Sequence, residues 1–261
     1  AALKAASDVK KGYPQLIVLD TSNPDTFLRT EKQINLARTL FVVSSKSGTT
    51  VETMSAYKYF WYKTEALKAA AAGENFIAVT DAGSPLYKEA QSKNFLRVFE
   101  NRKDIGGAFV SVSYSSVVPA ALAGYDVKEI LTAAREYQVY LKENSSLPSA
   151  LAKVLSDGAG KRVFFVLDKR LEPLGAWIGE VLSETLGKQG LGVAPIIAAK
   201  IDKKIITPSD IIIYIGAKPK KLNFDCPAFY LKAKGAQDVA KQIILWQFTA
   251  LEAAENMKIE P

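Results

Sequence analysis

Short, unbroken apolar runs alternate with stretches of helical polarity along nearly the whole chain, and this alternation limits its fold more than any other feature. The runs are 15–20 (QLIVLD), 40–44 (LFVVS), 76–81 (FIAVTD) and 96–99, then 162–167 (RVFFVL), 193–198, 210–215 (DIIIYI) and 228–232. They lack the polar alternation of a sheet with one wet face, so they read as strands buried on both sides. Between them, 23–39, 53–72, 84–92, 174–186 and 235–257 have helical polarity, and in the last Val239, Ile243, Trp246 and Ala250 share one face. Segment 108–123, apolar and rich in small residues, predicts a buried helix, and 127–143 an amphipathic one. This order implies an α/β fold of mainly parallel sheets covered by helices on both faces. The polar break at 144–148 (NSSLP) predicts a division into 1–145 and 146–261. The expectation is two αβα sandwiches of similar design, flavodoxin-like in layout, without an obvious sequence repeat.

Composition removes several kinds of chemistry. The 261 residues suffice for two units with real cores. The chain contains no histidine, which excludes His-containing triads and His-ligated metals and leaves acid–base work to Asp, Glu, Lys or Tyr. A single cysteine, Cys226, rules out a disulfide within the chain and fits a reducing compartment. There is no signal peptide at Ala1 and no apolar run near the ~20 residues that span a bilayer, so the expectation is a cytoplasmic protein without membrane contact. The net charge of +7 comes from scattered basic residues, densest at Lys218, Lys220 and Lys221. No basic stripe with interleaved aromatics accompanies them, which favours an acidic small molecule over nucleic acid.

The segment 41–53 (FVVSSKSGTTVET) concentrates chemistry. A strand ends, a turn follows, and a helix begins near Val51. The first N–H groups of a helix lack partners within it, and its dipole favours an anion there. Ser45, Ser47, Thr49 and Thr50 add hydroxyl donors, Lys46 adds a positive charge, and Gly48 allows close backbone approach. Together they suit a dianionic phosphate. The plainer alternative is a βα turn with Ser/Thr caps and nothing bound, but one cap needs one hydroxyl and this turn offers several. Neither a Walker spacing nor a Gly-x-Gly-x-x-Gly fingerprint is present.

Segment 44–53 (SSKSGTTVET) resembles the sugar-isomerase phosphate loop of the phosphoglucose isomerase family. Two further stretches follow in the family's order. Segment 104–109 (DIGGAF) with 117–121 (VVPAA) is similar to its Asp-Ile-Gly-Gly-Arg segment and the helix after it. Segment 174–188 (LGAWIGEVLSETLGK) is similar to the family helix ending in Glu-Ser-Thr-Gly-Lys, in wording closest to the bacterial branch that includes the isomerase half of transaldolase fusions. The resemblance covers nearly the whole chain. It implies two sugar-isomerase domains, a homodimer, and interconversion of glucose 6-phosphate and fructose 6-phosphate through an enediolate, with no metal or organic cofactor. It places the phosphate on Ser45, Lys46, Ser47, Thr49 and Thr50, the sugar beside Gly106, Gly107 and Glu180, and the proton-transferring base at Glu184. Packing of Leu174, Trp177, Ile178 and Val181 would hold Glu184 against the site, and partial burial would raise its carboxyl pKa. Tyr114 and Trp177 read as core residues, and Lys188 as a solvated cation at the helix end.

The chain departs from the family at four places. Ala108 stands where the family has an arginine expected to stabilise the enediolate. The family's ring-opening histidine has no counterpart. Segments corresponding to its first strand with Gly-Gly-Ser, and to its lysine-bearing tail, are not found, so the resemblance implies an isomerase core trimmed at both ends or a diverged relative. The alternatives to an isomerase are a module that binds a sugar phosphate without turning it over, and a fragment whose site is vestigial.

Overall fold

The structure, a computed structural model, describes residues 2–3, 11–102, 104–158, 160–188, 191–219 and 224–260. It divides into two units, Gln15–Pro119 and Ala120–Pro261 with residues 1–14.

In the unit Gln15–Pro119, three strands form a parallel sheet in the order β1-β2-β3: β1 (Phe41–Ser44), β2 (Phe76–Thr80) and β3 (Arg97–Glu100). Phe41 stands beside Phe76, and Thr80 beside Glu100. Helix α1 (Pro24–Gln33) starts where the Asn23 side chain accepts the Asp25 N–H at 2.9 Å and Pro24 fixes the first turn. It stops at Ile34, and Leu36–Arg38 forms a separate 3₁₀ turn, so the helix expected over 23–39 is shorter. Helix α2 (Val51–Lys68) and helix α3 (Pro85–Ser92, capped by Ser84) cover the sheet. Val43, Phe76 and Ala78 meet Tyr57, Trp61, Leu86, Ala90 and Phe95 there. Phe76 stacks on Phe41 with ring centroids 4.9 Å apart, and Phe95 on Trp61 at 5.7 Å.

Two expected elements of this unit differ. Segment 15–20 joins no sheet. Its apolar residues favour burial, yet a strand also needs a regular ladder of N–H and C=O pairs with a neighbouring strand, and no such pairing is formed by 15–20 among the described residues. The helix expected over 108–123 is broken. Gly107–Val112 is a 3₁₀ turn, Ser113 is extended, and only α4 (Tyr114–Leu122) is α-helical. The Ser113 and Ser116 hydroxyls bond the carbonyls of Val110 and Ser111 at 2.6 Å each, a local alternative to continuous helix.

The other unit carries helices α5 (Val127–Glu143) and α6 (Ser146–Asp157), strand β4 (Arg162–Leu167), helix α7 (Glu172–Leu186), strands β5 (Ala194–Ala198), β6 (Ile211–Gly216) and β7 (Ala228–Lys232), and helix α8 (Ala236–Asn256). Its four strands are parallel in the order β5-β4-β6-β7. Helix α8 packs against α5, α6 and α7. Trp246 is fully buried, meeting Phe165 edge to face at 5.2 Å. The division therefore falls at Pro119 rather than at 145. The apolar stripe of α5 (Ile130, Ala133, Ala134, Leu141) needs α8 to cover it. The polar break shrinks to Asn144 and Ser145, because Pro148 lies in the first turn of α6, where it is tolerated. At the start of β4, Arg162 grips Asp210 with Nε at 2.9 Å and Nη2 at 2.7 Å.

Candidate functional site

The turn after β1 is shaped by close packing. Ser45 N–H bonds the Val79 carbonyl at 3.0 Å, and Asp81 N–H bonds the Lys46 carbonyl at 3.1 Å, so the chain stays tied to β2 as it leaves the sheet. Gly48 then takes φ +70°. A Cβ there would sit 2.7 Å from the Leu86 backbone nitrogen and 3.0 Å from Ser84 Oγ. Only glycine fits, on both conformation and space. Ser45 Oγ and Thr50 Oγ1 are 2.9 Å apart, and Ser47 Oγ and Thr49 Oγ1 2.8 Å. Gly48 N–H and Thr49 N–H donate to Ser45 Oγ and Ser47 Oγ at 3.1 and 3.2 Å. Each hydroxyl pair uses one proton between its members and keeps one for a ligand. Thr50 opens α2 without a side-chain cap, and Val51 is 68% exposed. The end of the helix that favours anions thus faces outward, ringed by the exposed Ser47, Thr49 and Thr50.

Lys46 brings charge to this turn together with a partner. Its Nζ lies 2.5 Å from Asp81 Oδ2, and each side chain is 23% exposed. Asp81 follows β2, and Asn101 follows β3 and donates its N–H to the Thr80 carbonyl at 2.9 Å. The parallel register sets Lys46, Asp81 and Asn101 in consecutive positions along the carboxyl ends of the strands, where ligands of open α/β sheets bind. The sequence reading missed Asp81 and Asn101. Their signal was a polar residue at or just past the end of each strand-like run.

The remaining candidates belong to other segments of the chain. Gly106 has φ −62°, and a Cβ there would meet nothing closer than the Phe109 ring at 3.5 Å. Neither conformation nor crowding within the chain demands glycine at that position. Gly107 opens the 3₁₀ turn. Arg102 is clamped to Asp104 at 3.0 and 2.6 Å, which holds the Asp104 carboxyl below its ordinary range. Tyr114, expected in the core, is 47% exposed and tilts against Phe99 at 5.4 Å, and Trp177 is half-buried. On α7 the residues Leu174, Ile178, Val181 and Leu182 are buried, and Glu180 and Glu184 both emerge on the exposed face. The expected partial burial of Glu184 is therefore not found: its neighbours pack the helix down on the side away from the carboxylate. Lys188 donates to the Glu260 carbonyl at 2.7 Å. Lys218 is exposed, and Lys220 and Lys221 lie outside the described residues. Among the described residues, no group of His, Cys, Asp and Glu is arranged to hold a metal ion, and no helix is long and apolar enough to cross a membrane.

Comparison with known proteins gives this arrangement a lineage. Residues 1–189 match the profile of phosphoglucose isomerase, a span that includes the turn, the Gly106–Gly107 segment and Glu184. The chain belongs to the phosphoglucose isomerase family. Among its phosphoglucose isomerase relatives, a probable glucose-6-phosphate isomerase of Methanococcus maripaludis is 29% identical over 192 residues, covering 71% of this chain and 43% of the relative. A glucose-6-phosphate isomerase of Campylobacter jejuni is 27% identical over 241 residues, covering 87% and 55%. The chain spans about half the length of these curated relatives. The crystal structure of a glucose-6-phosphate isomerase from Chlamydia trachomatis superposes with a TM-score of 0.79 at 19% identity, over 99% of this chain and 62% of that one. The fold is thus shared with a phosphoglucose isomerase along almost the whole chain, and the expected sugar-isomerase architecture is present.

Proposed function

We propose that this chain is the core of an aldose–ketose isomerase that interconverts glucose 6-phosphate and fructose 6-phosphate. The observation that supports this reading is the turn Ser45–Thr50, where paired hydroxyls adjoin an uncapped, outward-facing helix start and Lys46 adds a positive charge, features suited to a phosphate dianion. The names of the relatives from Methanococcus maripaludis and Campylobacter jejuni support the reaction. Ser45, Lys46, Ser47, Thr49 and Thr50 hold the phosphate, while Gly106, Gly107 and Glu180 border the sugar. Glu184, exposed on α7 and so open to a ligand, moves a proton between C1 and C2 through an enediolate. The reaction draws on no metal or organic cofactor. Ring opening falls to a partner subunit of a cytoplasmic homodimer or to residues outside this chain, because the chain has no histidine.

The test is a coupled assay of fructose 6-phosphate conversion. Glu184→Gln is expected to lower kcat by about 10²–10⁴ while sugar-phosphate binding persists, as removal of a positioned proton-transfer group does. Full activity in that variant would sink the assignment. The second reading, binding without turnover, is favoured by Ala108 in place of the family arginine. It expects thermal stabilisation by fructose 6-phosphate and no conversion by well-folded protein.

A further inference from the structure

Buried polar atoms without partners are few in folded proteins, and each one needs an explanation. In the unit Gln15–Pro119 three such atoms stand together: Asp81 Oδ1, Asn101 Oδ1 and Asn101 Nδ2. Asn101 is only 7% exposed. Successive residues of a strand alternate faces, so Asp81 points with Val79 and Ile77, away from the cluster of Phe76, Ala78 and Val43. By the same alternation Lys46 and Asn101 share Asp81's face, and the Lys46–Asp81 ion pair bears this out for two of them. Asp81 and Asn101 thus stand side by side just past the ends of adjacent strands, whose backbones run about 4.8 Å apart by sheet spacing. They stand on the flank of Lys46, one register step from the turn.

We propose that Asp81 and Asn101 read the hydroxyl groups of the ligand whose phosphate sits on the turn, and so select a phosphorylated polyol over other phosphate esters. This rests on the phosphate reading of Ser45–Thr50. The chemistry of the orphan atoms decides the class of partner. Asp81 Oδ1 requires a donor, and a phosphate dianion has none. Asn101 offers two N–H donors and one acceptor oxygen. A sugar hydroxyl donates to the carboxylate and accepts from the amide at once, and neighbouring hydroxyls satisfy the rest. Lys46 holds the other carboxylate oxygen, which keeps Asp81 compatible with a phosphate alongside. Asp81 and Lys46 each remain 23% exposed while the three orphan atoms are closed to solvent, so a ligand enters from the Lys46–Asp81 edge and must open the cover over Asn101 to reach them.

The experiment titrates the parent protein, Asn101→Ala and Asp81→Asn with fructose 6-phosphate, butyl phosphate and inorganic phosphate by calorimetry, and melts each protein without ligand. The parent is expected to prefer fructose 6-phosphate to butyl phosphate, and each variant to lose about tenfold of that preference, the worth of a hydrogen bond to a charged or buried partner. Asn101→Ala is further expected to bind inorganic phosphate like the parent and to melt no lower than it, since the amide has no partner to lose. An unchanged preference in Asn101→Ala overturns the proposal. So does a fall in its ligand-free melting temperature or a failure to fold, either of which assigns Asn101 to structure or to a buried water. A parent that binds neither ester nor inorganic phosphate refutes the phosphate turn itself, and this inference with it.

Discussion

At Gly48 one hydrogen atom separates a working turn from a blocked one. Its φ of +70° is costly for any L side chain, and a Cβ would press on the Leu86 backbone nitrogen. Gly48→Ala is expected to cost at least about 1 kcal/mol in urea unfolding and to abolish binding of fructose 6-phosphate. A variant that binds normally would show that the turn is not the phosphate seat. Asp210 is a residue of the opposite kind, 2% exposed and fully partnered. Burial pushes its carboxyl up, but the hydrogen bonds from Arg162 and from Thr207, whose N–H lies at 2.7 Å, outweigh that and hold it below the ordinary range. A pKa lowered by folding stabilises above the unfolded value and stops doing so as pH falls through the folded one. Asp210→Asn is expected to lose about 1–3 kcal/mol at pH 7. The gap from the parent should close below about pH 4, and a gap constant across denaturation curves from pH 7 to 2 would contradict it. At this scale the sequence was most legible where chemistry is local. Ser45 to Thr50 are neighbours along the chain, so the crowding of hydroxyls in one turn could be read directly. Asp81 and Asn101 come together only through strand register, which no short segment displays.

At the level of elements, α7 rests on the sheet through glycine. A Cβ on Gly175 would lie 2.6 Å from Leu167 Cδ1 and 3.0 Å from Ile197 Cγ2, whereas one on Gly179 would meet only ordinary contacts at 3.6 Å. Thermal denaturation should therefore separate two chemically identical substitutions. Gly179→Ala is expected to gain about 0.5–1 kcal/mol from helix propensity. Gly175→Ala is expected to lose about 1–3 kcal/mol from overpacking and, by lifting α7, to disturb Glu184. Equal effects would mean that the helix adjusts freely on β4 and β5. The strands in both sheets were legible because fully buried runs such as 162–167 and 211–215 have few alternatives. The failures have local causes. Segment 15–20 has the apolar content of a strand but forms no strand pairing among the described residues. Segment 108–123 has helical composition, interrupted by serine hydroxyls that satisfy backbone carbonyls. Helix α6 hid behind Pro148, a residue that breaks a helix interior but suits a helix start.

For the whole molecule, ligand linkage offers the broadest check. Inorganic phosphate at ten times its dissociation constant should add about 1.4 kcal/mol to stability, visible as a rise in Tm. Ser47→Ala with Thr50→Ala should remove that rise, and an undiminished rise would move the anion elsewhere. The fold class was legible from the alternation of elements, because parallel strands require a crossover between each pair. The division at Pro119 was not, because it depends on which distant helix covers α5. That dependence also bears on synthesis. A chain leaves the ribosome from its N-terminal end, so α5, α6 and α7 emerge before α8, the helix that buries their apolar faces. Until residues 236–256 follow, Ile130 and Leu151 lack that cover, and the nascent chain carries bare apolar stripes on α5 and α6 at that stage.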